Sequence, residues 1–215
     1  MTRRLGKWFA MQGRDPARNV IACDVDGTAY AATEIPFQQF DADAGLPFGD
    51  DSFDLIVAIE VFEHMSNVYH QFDECRRVLK HDGLLVISVP NIGHTISRLK
   101  FLLTGFYDLY MPPSIDPKNA GRICGHIMPL TFAYLSYGLR RAGFRGIVFH
   151  RDKTKKAAAA LTSLFYLLIR CSSWFYRRKV RRYDASVFAE NASVIRQMSS
   201  WRMLTARSCI IAAIK

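Results

Sequence analysis

Leu46-Pro47-Phe48-Gly49-Asp50-Asp51-Ser52-Phe53-Asp54-Leu55-Ile56-Val57-Ala58-Ile59-Glu60-Val61-Phe62-Glu63-His64 is the stretch that decides the fold. Phe53 to Ile59 is an apolar run opened by turn residues, as expected for a strand buried on both faces of a parallel sheet. It runs into Glu60, Glu63 and His64, polar groups placed where the strand's carboxyl end meets the next helix. Open α/β sheets bind their ligands along that edge.

Working downstream, Phe72, Cys75, Val78 and Leu79 recur at helical spacing with charged residues between them. Asp82-Gly83 predicts a turn into Leu84–Val89, a second buried strand stopped by Pro90-Asn91. Strand, helix and strand make one crossover unit. Upstream, residues 3–13 carry Leu5, Trp8 and Phe9 at the spacing of a short amphipathic helix ended by Gly13. Asn19 to Cys23 predicts a strand ending at Asp24, and Phe37 to Asp41 a further one ending in Asp41-Ala42-Asp43. Beyond Asn91 the spacing predicts a helix over 96–106 and a long loop over 107–125 with Met111-Pro112-Pro113 as an acceptor lid. A helix capped by Thr131 and ended by Gly143 follows, with strands at 145–150 and 208–214.

The residues from Leu46 to Asn91 resemble the class I S-adenosylmethionine-dependent methyltransferases, through the pattern LPFxDxSFDxIxxxEVxEHM…RVLKxxGxLxxSVPN. The resemblance implies an α/β fold: a Rossmann-like, doubly wound, mostly parallel sheet with S-adenosyl-L-methionine as cofactor. It implies that Asp24 takes the ribose hydroxyls, against a capping role in a turn. Asp41 or Asp43 would accept from the adenine amino group, against a solvated acidic turn; Asp41 fits the spacing to Leu46 better. Glu60, Glu63 and His64 would line the methionine end or the acceptor pocket. Methyl transfer is an in-line displacement at a sulfonium carbon, needing alignment and a base only where the acceptor loses a proton. His64 or Glu63 would supply that base or orient the loop. His126, five residues before Thr131 as in the family's H-x-x-x-x-T, would face the acceptor or serve as a structural loop histidine. Asp24-Val25-Asp26-Gly27-Thr28 also resembles the start of haloacid dehalogenase-type phosphatases, but the acidic pair those enzymes need later is not matched.

The family's Gly-x-Gly-x-Gly turn is absent: Gly6 and Gly13 stand alone before Asn19. The resemblance therefore covers about 3–150 and 205–215 without the first strand. That implies an N-terminally truncated form of a longer methyltransferase, poorly stable alone and weak in cofactor binding. The alternative is a non-catalytic remnant of the fold that binds a partner or a membrane surface.

Residues 1–150 hold 15 Lys and Arg against 16 Asp and Glu, whereas residues 151–215 hold 14 against 3, so the net charge of +10 belongs to the tail. We divide the chain into a methyltransferase-like domain over 1–150, a basic apolar helical insertion over 151–204 and a returning strand over 205–215. Ala157 to Ile169 is an apolar run shorter than the ~20 residues of a span and is followed by Arg170. With Trp174-Phe175-Tyr176 and the cations to Arg182, residues 153–182 fit an in-plane helix on an anionic membrane, or a lid helix packed on the domain. Base-stacking aromatics are not spaced among those cations, which argues against nucleic acid. The acceptor is expected to be a small molecule or one linked to lipid or glycan. The five scattered cysteines show no C-x-x-C pairing, so no disulfide frame or metal site is expected from them. No apolar segment follows the basic start, so the expectation is no signal peptide and a cytoplasmic protein, peripheral at the inner membrane face.

Overall fold

The computed structural model describes residues 1–28, 30–41, 44–119 and 125–215. They form two compact units, Met1–Gly49 and Asp50–Lys215.

In the first unit, α1 (Thr2–Met11) is the expected amphipathic helix. It is followed by α2 (Pro16–Asn19), with Pro at its first position and Asp15 accepting from the Ala17 N–H. That short helix takes up the chain to Asn19, so β1 is Ala22–Asp24 and starts later than the sequence predicts. β1 runs parallel to β2 (Phe37–Gln39), with Ala22 opposite Phe37 and Asp24 opposite Gln39. The carboxyl ends of both strands thus point the same way, with Asp24 ending one and Asp41 two residues beyond the other. Asp43 lies outside the described residues.

The second unit holds a mixed sheet in the order β3-β4-β6-β5. β3 (Phe53–Ile59) crosses through α3 (Val68–Val78) to β4 (Leu79–Pro90), its parallel neighbour. β6 (Ser208–Ile214) lies between β4 and β5 (Arg145–Arg151), antiparallel to both. Asp82-Gly83, expected as a turn before the strand, is instead an irregularity within β4. Asp82 has φ 60°, and the register jumps from Phe53 opposite Leu79 to Leu55 opposite Leu84. Leu85, Ile87, Val89, Ile211 and Ala213 are fully buried in the middle of this sheet. The expectation that Phe53–Ile59 is buried on both faces is corrected here. β3 is the edge strand, paired on one side only within its sheet, and Leu55 keeps 43% of its surface.

Against the sheet, α3 and α5 (Phe132–Arg141) approach closely at Gly138, where a Cβ would come within 2.6 Å of the Tyr69 ring. Thr131 caps α5 through the Tyr134 N–H, and Gly143 (φ 91°) ends it, both as expected. The basic segment folds as α6 (Lys156–Tyr183), α7 (Ala185–Met198) and α8 (Trp201–Thr205). α6 matches the helix expected over residues 153–182, and no Gly or Pro interrupts it. It packs on α4 (Thr95–Thr104), α7 and α8, and its buried Thr162 hydroxyl bonds that of Thr95 at 2.6 Å. By length and composition α6 is long and apolar enough to cross a membrane.

Candidate functional site

The carboxyl end of β3 delivers the polar cluster. Glu60 stands there with φ 54°, a conformation uncommon outside glycine, while its N–H continues the ladder to the Ser88 carbonyl at 2.8 Å. Its side-chain Oε1 accepts from the Ser88 hydroxyl at 2.6 Å, so the two strand ends are tied through side chains as well. A short 3-10 turn, Phe62–His64, follows and turns Glu63 inward. The Glu63 carbonyl accepts from both Ile127 and Met128 N–H at 3.0 Å. Those two bonds bring the segment before α5, and with it His126, against the turn.

Glu63, His64 and His126 therefore converge, as one donor atom from each lies within 4.8 Å of the others. Glu63 is 0% exposed, and neither carboxylate oxygen has a hydrogen-bond partner among the described residues. Burial pushes its carboxyl up to about 7; its own backbone N–H offsets part of this and the Glu60 charge adds to it. His64 Nδ1 lies 3.0 Å from the Gly125 carbonyl, and His126 Nδ1 lies 2.9 Å from that of Leu109. A carbonyl only accepts, so each Nδ1 is the protonated nitrogen and each neutral ring carries its lone pair on Nε2. The two rings meet edge to face at 4.7 Å, and Tyr110 lies against His126 at 5.3 Å. The Tyr110 hydroxyl donates to the Met128 carbonyl at 3.1 Å, and burial with the Glu63 and Glu60 charges keeps it protonated. Such a cluster can hold a proton, take one from a hydroxyl, or bind a cation.

Sequence reasoning missed Tyr110, which sits in the loop expected to be a lid. It also missed a second cluster. His94, 2% exposed, caps α4 by accepting the Ser97 N–H on Nδ1, and its Nε2 faces Asp108 at 3.2 Å. Lys155 bridges to Asp108 alongside. Burial lowers the His94 pKa to about 4; Lys155 and Arg98 add to this and Asp108 opposes it. No spacing rule links residues 94, 108 and 155, so only the fold reveals them.

In the first unit the Asp24 carboxylate is exposed at the end of β1, and its Oδ1 accepts from the Val25 N–H at 2.7 Å. It is thus oriented by its own turn rather than consumed by an ion pair among the described residues. An acid so placed fits a pair of ribose hydroxyls. Asp41 is likewise exposed, beyond the carboxyl end of β2. The residues present fit the adenosine end of S-adenosylmethionine, whereas these 215 residues contain no glycine-rich turn for its methionine end.

Residues 4–87 match the family described as a methyltransferase domain. A probable S-adenosylmethionine-dependent methyltransferase of Mycobacterium tuberculosis strain H37Rv is 39% identical over 79 residues, which are 35% of this chain and 29% of that protein. One from Mycolicibacterium smegmatis is 35% identical over 81 residues, 36% of this chain and 32% of that protein. The matches thus span under a third of the length of these curated relatives. An S-adenosylmethionine-dependent methyltransferase structure from Archaeoglobus fulgidus superposes with a TM-score of 0.56 at 13% identity, covering 100% of this chain and 82% of that one. The chain is thus similar to S-adenosylmethionine-dependent methyltransferases, through the methyltransferase-domain match over residues 4–87 and through its fold.

Proposed function

We propose that the protein transfers a methyl group from S-adenosylmethionine to a hydroxyl of a lipid-linked acceptor at an anionic membrane surface. The observation that carries the acceptor class is the outward face of α6. Leu164, Leu167, Leu168, Trp174 and Phe175 stand on it largely exposed, Leu164 at 75% and Leu167 at 77%. The opposite face packs on the protein, so this stripe has no partner among the described residues. Along the same face the stripe turns cationic at Arg178 and Arg182. A groove beside it is lined by Trp174, Arg177, Arg178, Arg181 and Phe188. Arg177 Nε is buried there without a hydrogen-bond partner, and the Arg178 guanidinium lies over the Trp174 ring at 5.5 Å.

Anionic lipid satisfies both halves of the surface. Each buried leucine gains about 1.5–3 kcal/mol, and each cation near the headgroups up to about 1 kcal/mol before screening. A second copy of the chain would set like charges against each other, and a neutral apolar partner would leave the arginines unused. The test is flotation with vesicles, followed by radiolabel transfer from S-adenosylmethionine into lipid extracted from them. Binding should favour anionic over neutral vesicles and fall at least tenfold in a Leu164→Glu/Leu167→Glu variant. Equal binding to both vesicle types would remove the membrane from this reading.

One observation favours a second reading, a non-catalytic member of the fold: the lack of a glycine-rich turn in these residues. Absence of label transfer, together with intact vesicle binding, would select it.

A further inference from the structure

Glu63, His64 and His126 present three acceptor groups to one another: a buried carboxylate and two imidazoles whose lone pairs lie on Nε2. A buried carboxylate without a partner is costly, and one left so in a folded protein calls for a cation. Tyr110 does not supply it, because its proton is committed to the Met128 carbonyl. We propose that Glu63, His64 and His126 form a binding site for one divalent first-row transition-metal ion.

Three features support the site. The donor set of two imidazoles and one carboxylate is that of open catalytic zinc and non-haem iron(II) centres, and it disfavours magnesium and calcium, which take oxygen alone. Each histidine is oriented by a backbone carbonyl on Nδ1, the outer bond that fixes ring direction and tautomer in metal-ligating histidines. The ligands come from two segments that backbone bonds already hold together, through Ile127 and Met128 to the Glu63 carbonyl. Donors around an ion at about 2.0–2.2 Å lie roughly 3–3.5 Å apart. The present 4.8 Å limit therefore requires side-chain movement of about 1 Å, which rotations about χ1 and χ2 can supply. Three protein ligands leave a coordination position for an exogenous oxygen, water or a hydroxyl.

The site is independent of the lipid reading and of cofactor binding, and its test needs neither. The full chain, stripped with chelator, is titrated with Co2+ while visible absorption is recorded, then back-titrated with Zn2+. One equivalent should bind, with d–d bands of a low-coordinate site, and Zn2+ should displace it. Glu63→Gln, which keeps the side-chain volume, and His126→Gln should each weaken binding at least about tenfold. His81→Ala, at an exposed histidine, should leave it unchanged. Circular dichroism identifies any variant that fails to fold, and the remaining one then decides. No stoichiometric Co2+ uptake, equal affinity in Glu63→Gln and His126→Gln, or displacement by equimolar Mg2+ would each overturn the proposal.

Discussion

Asn91 shows how a single side chain can fasten two distant parts of the chain. Its buried Nδ2 donates to the Met203 and Ala206 carbonyls at 2.8 and 2.9 Å, and its Oδ1 accepts from the Gly93 N–H. Asn91→Ala should lower stability by roughly 2–4 kcal/mol, the cost of leaving buried carbonyls and an N–H unmatched. Denaturant unfolding of the two proteins measures it. His94 carries a pH dependence instead. Its pKa falls to about 4 in the folded protein from 6.5, so between those values the unfolded chain binds more protons. Stability from this group is complete above about pH 6.5 and is lost as pH falls towards 4, on the order of 3 kcal/mol in all. Asp108 acts in the same direction at lower pH. Burial would raise its pKa, but Lys155, His94 and Lys100 hold it below the usual value. His94→Asn keeps an acceptor for the Ser97 N–H and removes the titration. Its unfolding free energy should change much less between pH 4.5 and 7 than that of the parent protein. A slope equal to the parent's would show that His94 does not titrate in this window.

At the scale of elements, β3 was the most legible piece in the sequence and also the one whose surroundings were misread. Its limits, Phe53 to Ile59, follow from the apolar run, because a strand's extent is set by its own residues. Its burial is set by neighbours, and a parallel-strand composition says nothing about whether both neighbours are present. Hydrogen exchange should find β3 amides less protected than those of β4 and β6, which are paired on both sides. Equal protection would mean that the open edge is covered in solution. α6 was half legible for a related reason. Its extent agrees with the helix read over residues 153–182, but which neighbours cover one of its faces is set by tertiary packing. Ser173 meets the Ser199 hydroxyl at 2.9 Å, and Asp184 caps the next helix. Of the candidate site, Glu60, Glu63, His64 and His126 could be named from motif spacing. Their convergence could not be, since it rests on the Glu63 carbonyl capturing Ile127 and Met128 across some 60 residues of chain.

Over the whole molecule, charge and chemistry are separated along the chain. Seven of the 14 Lys and Arg residues after residue 150 lie in α6, while the acidic and histidine cluster follows the end of β3. Vesicle binding should therefore fall steeply as salt rises from 50 to 300 mM, as the Debye length shortens from about 14 to about 6 Å. The first unit has a small core, with Ala32 and Ile35 as its buried apolar side chains among the described residues. Limited proteolysis should cut within residues 25–49 before it reaches the β4–β6 core. The central proposal is that Asp24, at the carboxyl end of β1, takes part in binding S-adenosylmethionine. Calorimetric titration with S-adenosylhomocysteine tests it most directly. The account predicts weak binding with a Kd below about 1 mM. It also predicts that Asp24→Ala weakens it by roughly 1–3 kcal/mol through loss of charge-assisted hydrogen bonds. No heat up to several millimolar ligand, or an affinity unchanged in Asp24→Ala, would contradict it.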